Sequence, residues 1–333
     1  MLPSLSSTRA TALIARFADQ RILVVGDVML DRFIVGRVTR MSPEAPVPVV
    51  QFQSEHVRLG GAANVAHNIA ALGGRPSCVA LVGLVGADDA GRRVRAALAA
   101  AGLSADGLVE DRDRPTTEKV RVVTERHQQV ARIDYEREAD ASGDVERAIV
   151  EQVTRLGRGA NALMVSDYLK GTVTRDVIRS LRSAALSGLP LLIDPKIPHL
   201  EFYAGATLVT PNHHEAETAT HRRIRTDDDA CEAGRDFRKR AQCGAVLITR
   251  GEHGMWVSQD GAEGSIPAVA REVADVIGAG DTVAATLALA LAAGATLTEA
   301  AVLANHAAGI VVGKFGPATV SREELLAALS AAG

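Results

Sequence analysis

The sequence predicts an α/β fold in which helices cover both faces of a mostly parallel sheet. Short apolar runs recur along the 333 residues, and most are followed by a longer stretch with helical periodicity. This alternation favours βαβ units, whose strands pair in parallel and are buried on both faces. The runs are Ile22–Val25, Val79–Leu84, Ala162–Val165, Leu191–Ile193, Thr207–Thr210 and Val246–Thr249.

Two segments depart from this alternation, approximately residues 33–53 and 116–135. In the second, apolar and polar residues alternate, which is typical of strands with one exposed face. We expect a small antiparallel sheet that acts as a lid, because closing over a site excludes water during chemistry. An ordinary surface hairpin is the alternative. No linker rich in Pro, Gly or Ser marks a boundary, so residues 1–333 are expected to form a single domain.

Composition and charge exclude several classes of protein. A net charge of −3, with acids and bases mixed along the chain, lacks the basic footprint of a nucleic-acid or membrane-surface binder. The three cysteines show no metal spacing and favour a reduced, cytoplasmic setting. The uncharged stretch from Thr282 to Thr298 is too short and Ala-rich to span a bilayer, and it is interpreted as a buried helix. The N-terminal 20 residues are interpreted as a leading helix rather than a targeting peptide.

A glycine turn before this Ala-rich helix carries the strongest chemical signal. Gly278, Ala279 and Gly280 are followed by Asp281 at the predicted helix start. Small residues there leave backbone N–H groups free to bind an anion at the positive end of the helix dipole. Asp281 could then accept a hydroxyl proton. The alternative is a tight turn with Asp281 as a helix cap. No Walker A loop is present.

A second group of residues favours a polyol ligand. Gly60, Gly61 and Asn64 lie at the start of a predicted helix, and Asp27 and Asp31 follow the first strand. Paired glycines allow close approach of a ligand, while carboxylate and amide groups can bind hydroxyls. A glycine turn that merely packs helix on sheet is the alternative.

Taken in this order, the two motifs resemble those of the ribokinase-like carbohydrate kinases, the PfkB family, over nearly the whole chain. The family's Asn-x-x-Glu motif is also present, as Asn212 to Glu215. The resemblance implies a ribokinase-like three-layer α/β/α core with a β-sheet lid, and ATP and Mg²⁺ as co-substrate and cofactor. It also implies a homodimer formed through the lid strands.

Within that family the chain is most similar to the D-glycero-β-D-manno-heptose 7-phosphate kinases. The matching segments are Arg40 to Val49, His127 to Asp134, Ser166 to Gly171 and Asp194 to Lys196. Ile197 stands where Gly is expected, which leaves the shape of that loop open. No HxGH motif of a fused nucleotidyltransferase occurs, so the stand-alone kinase form is expected. The resemblance implies transfer of the ATP γ-phosphoryl group to the anomeric hydroxyl, in the synthesis of lipopolysaccharide precursors.

The resemblance also implies roles for individual residues. Asp281 would be the base, and Gly278, Ala279 and Gly280 would form the anion hole. Asn212 and Glu215 would position the metal through water; the alternative is a helix N-cap with a capping-box glutamate, and the two roles are compatible. The sugar would meet Asp27, Asp31, Gly60, Gly61, Asn64 and Asp194, with its phosphate on Arg132, Lys170 and Lys196. The nucleotide would lie along Asn212, Glu215, Thr249, Gly251, Gly254 and Asn305.

Two alternatives remain at this point, and a third is set aside. The first is a kinase of the same fold that acts on another sugar, such as ribose, fructose or a hexose phosphate. The cations would then be solvated surface charges, which is the common fate of a single Lys or Arg. The second is a catalytically silent sugar-binding regulator, which the intact Asp281 and glycine turn count against. A dinucleotide oxidoreductase is set aside because the first strand ends without a G-x-G-x-x-G motif.

Overall fold

A computed structural model describes residues 5–126, 128–186, 188–269 and 272–332. Its strands are β1 (Ile22–Gly26), β2 (Val28–Met41), β3 (Pro48–Gly61), β4 (Val79–Gly86), β5 (Leu108–Asp111), β6 (Thr117–Thr124), β7 (Gln129–Tyr135), β8 (Ala162–Ser166), β9 (Leu191–Asp194), β10 (Leu208–Val209), β11 (Ala245–Thr249), β12 (Met255–Gln259) and β13 (Ala262–Ile266). Its helices are α1 (Ser7–Ala15), α2 (Ala62–Gly73), α3 (Asp89–Ala100), α4 (Gly143–Leu156), α5 (Arg175–Ala185), α6 (His213–Thr220), α7 (Asp227–Ala241), α8 (Ala279–Ala292), α9 (Leu297–Val311) and α10 (Arg322–Ala332).

The main sheet has nine strands in the order β13-β12-β11-β10-β9-β8-β1-β4-β5. All neighbours from β11 to β5 pair in parallel, and β12 and β13 continue the sheet as an antiparallel hairpin. The predicted mostly parallel sheet is confirmed, and each predicted run forms a strand. The run at Thr207–Thr210 forms only the short β10. The hairpin and β5 are additions that the apolar runs did not indicate.

Two apolar clusters cover the faces of the main sheet. One contains α2, α8 and α9, and the other contains residues of α4, α5 and α7. The Ala-rich helix α8 is buried along most of its length, because small side chains let it pack closely against both α2 and α9. This confirms the predicted buried helix, and α1 confirms the predicted leading helix. The three cysteines are free thiols.

The second sheet, called here the small sheet, has four strands in the order β3-β2-β6-β7. It begins at Val28, earlier than predicted, because Val28 to Leu30 are buried and look in the sequence like a continuation of β1. It is not wholly antiparallel, since β2 and β6 pair in parallel. Only Asp27 separates β1 from β2, and β3 runs directly into α2. The small sheet is therefore joined to the core without flexible linkers at these two points.

None of the helices described above is long and apolar enough to cross a membrane.

Candidate active site

The glycine turn forms the N-terminus of α8. Gly278 is the N-cap and has a φ of 80°, in the left-handed region that a residue with a Cβ rarely adopts. A Cβ added at Gly280 would meet nothing within 4 Å, so its backbone borders open space. The N–H of Ala279 turns back to the Val276 carbonyl at 3.3 Å. The helix start is thus exposed to a ligand mainly at Gly280.

Asp281 lies in the first turn of α8 and is only 5% exposed. One carboxylate oxygen accepts a hydrogen bond from Asn64 Nδ2 at 2.7 Å, and the other accepts one from Tyr168 Oη at 3.1 Å. Burial raises the pKa of Asp281 to about 6, while these two donors oppose the rise. Asp31 raises the pKa further and Lys196 lowers it. A carboxyl group with this pKa is suited to general-base chemistry near neutral pH.

Asn64 reaches Asp281 because α2 begins at a tight turn. Gly61 has a φ of 55°, and a Cβ there would lie 2.3 Å from the Asp27 carbonyl oxygen. Asn64 is 1% exposed, and its carbonyl side is bonded to Asn68, which is in turn bonded to Thr282 of α8. Its side-chain NH₂ group donates to Asp281 and does not face open space. Asn64 was expected to bind the sugar, but this geometry supports orientation of the base.

Asp27 is also engaged by the protein itself. One of its oxygens accepts the N–H groups of Tyr168 and Lys170, at 2.8 and 3.0 Å, and the other accepts that of Thr172 at 2.9 Å. Its carboxyl group is buried, which raises the pKa despite these three donors. A sugar-binding role was expected for Asp27, but both of its carboxylate oxygens accept hydrogen bonds from the loop after β8.

Asp31 lies on β2 of the small sheet and points toward the same centre. It forms a buried ion pair with Arg121 of β6, and Arg121 also covers the ring of Phe33 at 5.4 Å. A Cβ at Gly60 would lie 2.5 Å from a carboxylate oxygen of Asp31, so glycine is required for this approach. Arg121 was not among the predicted site residues. Strand alternation identifies β6 but does not tell which of its cations meets Asp31.

The three cations predicted to hold a second phosphate are not brought together. Lys170 is paired with Glu136 at 3.0 Å and with Glu138 at 2.9 Å. Arg132 is half-exposed on β7, opposite Arg121, and pairs with Asp134. The third, Lys196, pairs with Glu215 and lines a different pocket together with Asn212. The expected cluster of three free cations is therefore not formed, because each of them is paired with a carboxylate.

A cavity of about 350 Å³ extends away from the glycine turn. It is lined mostly by apolar side chains and by the backbone of small residues, which is typical of a small-molecule site. All four residues predicted only for the nucleotide line it, together with two members of the glycine turn. These residues are Thr249, Gly251, Gly254, Asn305, Ala279 and Gly280. The Asn305 amide donates to the Pro267 carbonyl at 2.7 Å, so its orientation is fixed.

A narrower pocket of about 190 Å³ continues from this cavity and shares Thr249 and Gly280 with it. Asn212 caps α6 and forms a reciprocal capping box with Glu215, so the structural alternative for this motif is confirmed. The other Glu215 oxygen binds Lys196. Asp194 lines the same pocket, where burial raises its pKa well above the usual range.

The charges of this narrow pocket fit a hydrated divalent cation. Besides burial, the carboxylates of Glu215 and Asp281 raise the pKa of Asp194 while Lys196 lowers it, so carboxyl groups outnumber the cation around this pocket. Among the described residues, no three His, Cys, Asp or Glu side chains are grouped to hold an ion directly. Such a donor set suits Mg²⁺, which keeps several waters and binds through phosphate oxygens.

Two further groups at the centre were missed. Tyr168 lies two residues beyond β8, and its ring is 5.2 Å from the Lys196 ammonium. Asp167, fully buried, accepts hydrogen bonds from His199 and from the Tyr203 hydroxyl, both at 2.7 Å. The position after a parallel strand was the available signal, because ligands bind at that edge. His127, part of a matching segment, lies outside the described residues.

A larger depression of about 580 Å³ lies between α7 and the β12–β13 hairpin, distant from this centre. Its arginines, Arg235 and Arg238, are paired with Glu263 and Asp260. The depression has no buried titratable group like Asp281. We therefore take the cavity beside the glycine turn as the candidate active site.

Comparison with known proteins agrees with this assignment. A family profile described as "pfkB family carbohydrate kinase" matches residues 19–324. The chain is 46% identical to the D-beta-D-heptose 7-phosphate kinase of Bordetella bronchiseptica, over 93% of this chain and 96% of that one. It is 46% identical to the bifunctional protein HldE of Bradyrhizobium diazoefficiens over 94% of this chain, but spans only 64% of that protein's length.

Solved structures show the same fold at low identity. Phosphofructokinase-2 from Escherichia coli, in complex with potassium, superposes with a TM-score of 0.76 at 21% identity, covering 93% of this chain and 99% of the other. Ribokinase from Arabidopsis thaliana, complexed with ribose and ATP, gives a TM-score of 0.71 at 21% identity, with 93% and 98% covered. These likenesses confirm the predicted ribokinase-like α/β fold with a small separate sheet.

Proposed function

The chain belongs to the pfkB family of carbohydrate kinases, and on that premise we propose that it transfers the γ-phosphoryl group of ATP to the anomeric hydroxyl of D-glycero-β-D-manno-heptose 7-phosphate, giving the 1,7-bisphosphate. The observation that carries the proposal is the buried Asp281 in the first turn of α8. It directly follows Gly280, which lines the cavity suited to a nucleotide, and it is close enough to Asp31 of the small sheet for that carboxylate to raise its pKa. Both substrates would meet at this carboxylate.

In the proposed reaction the sugar hydroxyl gives its proton to Asp281 as its oxygen attacks the γ-phosphorus. A new O–P bond forms, the bond from the γ-phosphorus to the bridging oxygen breaks, and ADP leaves with that electron pair. Charge spreads over the phosphoryl oxygens in the transition state. The N–H of Gly280 and the dipole of α8 favour that charge, and Lys196 adds a cation on the nucleotide side.

Mg²⁺ fits the same reaction as a bound cofactor. Asn212 and Glu215 would hold it through water, with Asp194 adding negative charge nearby. When bound, Mg²⁺ would neutralise part of the charge on the nucleotide phosphates. Since Glu215 is also held by the capping box and by Lys196, its orientation does not depend on the metal.

The choice of sugar rests on the relatives. The Bordetella kinase named for heptose 7-phosphate covers the chain almost end to end at 46% identity. The segments Ser166 to Gly171 and Asp194 to Lys196, which resemble that group, contribute Tyr168, Asp194 and Lys196 to the centre. A kinase of another sugar or sugar phosphate is the second candidate, because the fold is shared with phosphofructokinase-2 and ribokinase.

We also propose that the small sheet closes over the sugar and pairs two copies of the chain. Asp31 and Arg121 lie on this sheet, so closure would complete the sugar side. Large apolar side chains are exposed on it, at Met41, Phe52 and Ile133. A second copy is the occupant that fits such a face. Sedimentation should give a dimer, and Phe52→Glu should shift it toward monomer; a monomeric wild type at micromolar concentration would refute the pairing.

The free thiols and the need for ATP make the cytoplasm the compartment we propose.

The substrate is tested by ADP release with Mg-ATP against a panel of sugars and sugar phosphates that contains both anomers of heptose 7-phosphate. Wild type and Asp281→Asn are run side by side. Turnover confined to the β-heptose phosphate, and lost in the variant, is the expected result. Preference for another sugar would retain the kinase and discard the heptose assignment. No sugar-dependent turnover would favour a silent sugar-binding regulator.

A further inference from the structure

The loop after β8 is held in place by hydrogen bonds to the side chains of Asp27, Asp167 and Arg114. Asp27 accepts the N–H groups of Tyr168, Lys170 and Thr172, and Asp167 accepts that of Leu169 at 2.9 Å. From the opposite side, the Arg114 guanidinium donates to the Lys170 carbonyl at 2.8 Å. Buried charges with this many bonds are costly to disturb.

This loop is also conformationally strained. Leu169 has a φ of 59°, in the left-handed region that bulky residues avoid. Such strain persists only where surrounding contacts determine the backbone, and it concentrates at functional sites. Here the surrounding contacts are the hydrogen bonds that the loop donates to Asp27 and Asp167 and the one that it accepts from Arg114. The loop is therefore fixed in one conformation around Tyr168.

The fixed loop places the Tyr168 hydroxyl beside the Asp281 carboxylate. Tyr168 Oη donates to one Asp281 oxygen at 3.1 Å, and Asn64 Nδ2 donates to the other at 2.7 Å. The two donors come from different elements and hold both ends of the carboxylate, so its plane cannot rotate freely. Each oxygen retains a lone pair for a substrate proton. On the other face of Tyr168, the Lys196 ammonium lies 5.2 Å from the ring centre.

We propose that Tyr168 is a positioning residue for Asp281: held by the loop that Asp27 and Arg114 fix, its hydroxyl sets the orientation and the basicity of the carboxylate. This proposal rests on the proposed phosphoryl transfer and deepens it. The hydroxyl stays protonated, because burial and the neighbouring Asp281 and Asp194 raise its pKa well above the usual range. It is thus a permanent donor, and it stabilises the ionised form of Asp281.

The direction of its effect follows from that donor role. Removing the hydroxyl takes a hydrogen bond from the ionised carboxylate, so the pKa of Asp281 should rise. The other charged groups that face Asp281 are Asp31 from the small sheet, Asp194 from β9 and Lys196 from the loop after it. All three remain in a Tyr168→Phe variant, so the change is attributable to the hydroxyl.

The experiment compares wild type, Tyr168→Phe and the control Tyr135→Phe, which removes a hydroxyl from a half-exposed ring on β7. The first readout is the ¹³C carboxyl titration of aspartate-labelled protein without ligands, with the Asp281 signal identified by its loss in Asp281→Asn. We expect its pKa to rise by about one pH unit in Tyr168→Phe. We expect no change in the control.

The second readout is steady-state kinetics across pH with Mg-ATP and the sugar that the wild type uses. In Tyr168→Phe, kcat should fall about 10- to 100-fold with both KM values within about twofold, since only the base is misplaced. The acid limb of kcat should move to higher pH. An unchanged Asp281 titration would overturn the proposal, and so would a raised sugar KM at unaltered kcat. If the wild type phosphorylates no sugar, the proposed function fails while the titration still decides the role of Tyr168.

Discussion

Replacing Gly278 with alanine tests how closely the glycine turn and the base are coupled. A Cβ at this position would lie 2.8 Å from Asn64 Nδ2, whereas ordinary contact begins at about 3.4 Å. Asn64 must therefore retreat by about 0.6 Å, and a retreat along its 2.7 Å bond to Asp281 would stretch that bond to about 3.3 Å. Displacements of this size at a reacting group cost roughly tenfold or more in rate. We expect kcat to fall at least about tenfold.

A second effect of Gly278→Ala is on stability, because alanine is strained at a φ of 80° by about 1 kcal/mol. Gly261 supplies the matched control: its φ is 79° and a Cβ there would meet nothing within 4 Å. Gly261→Ala should lose about 2 °C in thermal melts, as expected for a chain of this size, and Gly278→Ala should lose more because it also displaces the buried Asn64. Only Gly278→Ala should lose kcat in the ADP-release assay. Equal kcat in the two variants would refute the coupling through Asn64.

Three other outcomes are expected. Asp281→Asn should abolish turnover yet raise the free energy of unfolding at pH 8 by up to about 3 kcal/mol in denaturant titrations, because burying the ionised carboxylate costs most above its folded pKa of about 6. This gain in stability should vanish near pH 4, where the carboxyl group of the unfolded chain also becomes protonated. A gain that stays constant with pH would contradict the assigned pKa. Lys196→Met should lower kcat or raise the KM for ATP with the sugar KM within about twofold, and the reverse pattern would return Lys196 to the sugar phosphate. Arg121→Lys should raise the sugar KM about tenfold with the ATP KM unchanged, because lysine cannot reproduce the guanidinium contact with Asp31. A change confined to the ATP KM would contradict the proposed location of Arg121 beside the sugar.

The parts of the molecule that the sequence predicted are those set by local pattern. Buried strands are continuous apolar runs, so the main sheet was predictable, and the glycine turn identified both Asp281 and the neighbouring cavity. The four residues that the family resemblance assigns to the nucleotide alone all line one cavity. Their binding of a nucleotide stays a prediction.

The sugar side was less predictable because it depends on side-chain pairing between distant segments. No local sequence pattern distinguishes Asp27 from Asp31. Asp27 accepts hydrogen bonds from three backbone N–H groups, whereas Asp31 forms an ion pair with Arg121. Likewise Lys170 and Lys196 both follow strands, but their acidic partners lie on other segments of the chain. Tyr168 lies within the matching segment Ser166 to Gly171, but no local pattern singles it out, because its contact with Asp281 arises only where the loop after β8 meets α8.

The direct junctions between the small sheet and the core make the effect of an insertion depend on where it falls. β2 and β3 are each 14 residues long, and their bases reach the reacting centre at Asp31 and Gly60. The far ends lie around Met41 and Pro48, so a change of length there would alter the exposed face of the small sheet without moving Asp281. An insertion at Gly61 would instead shift Asn64 away from Asp281.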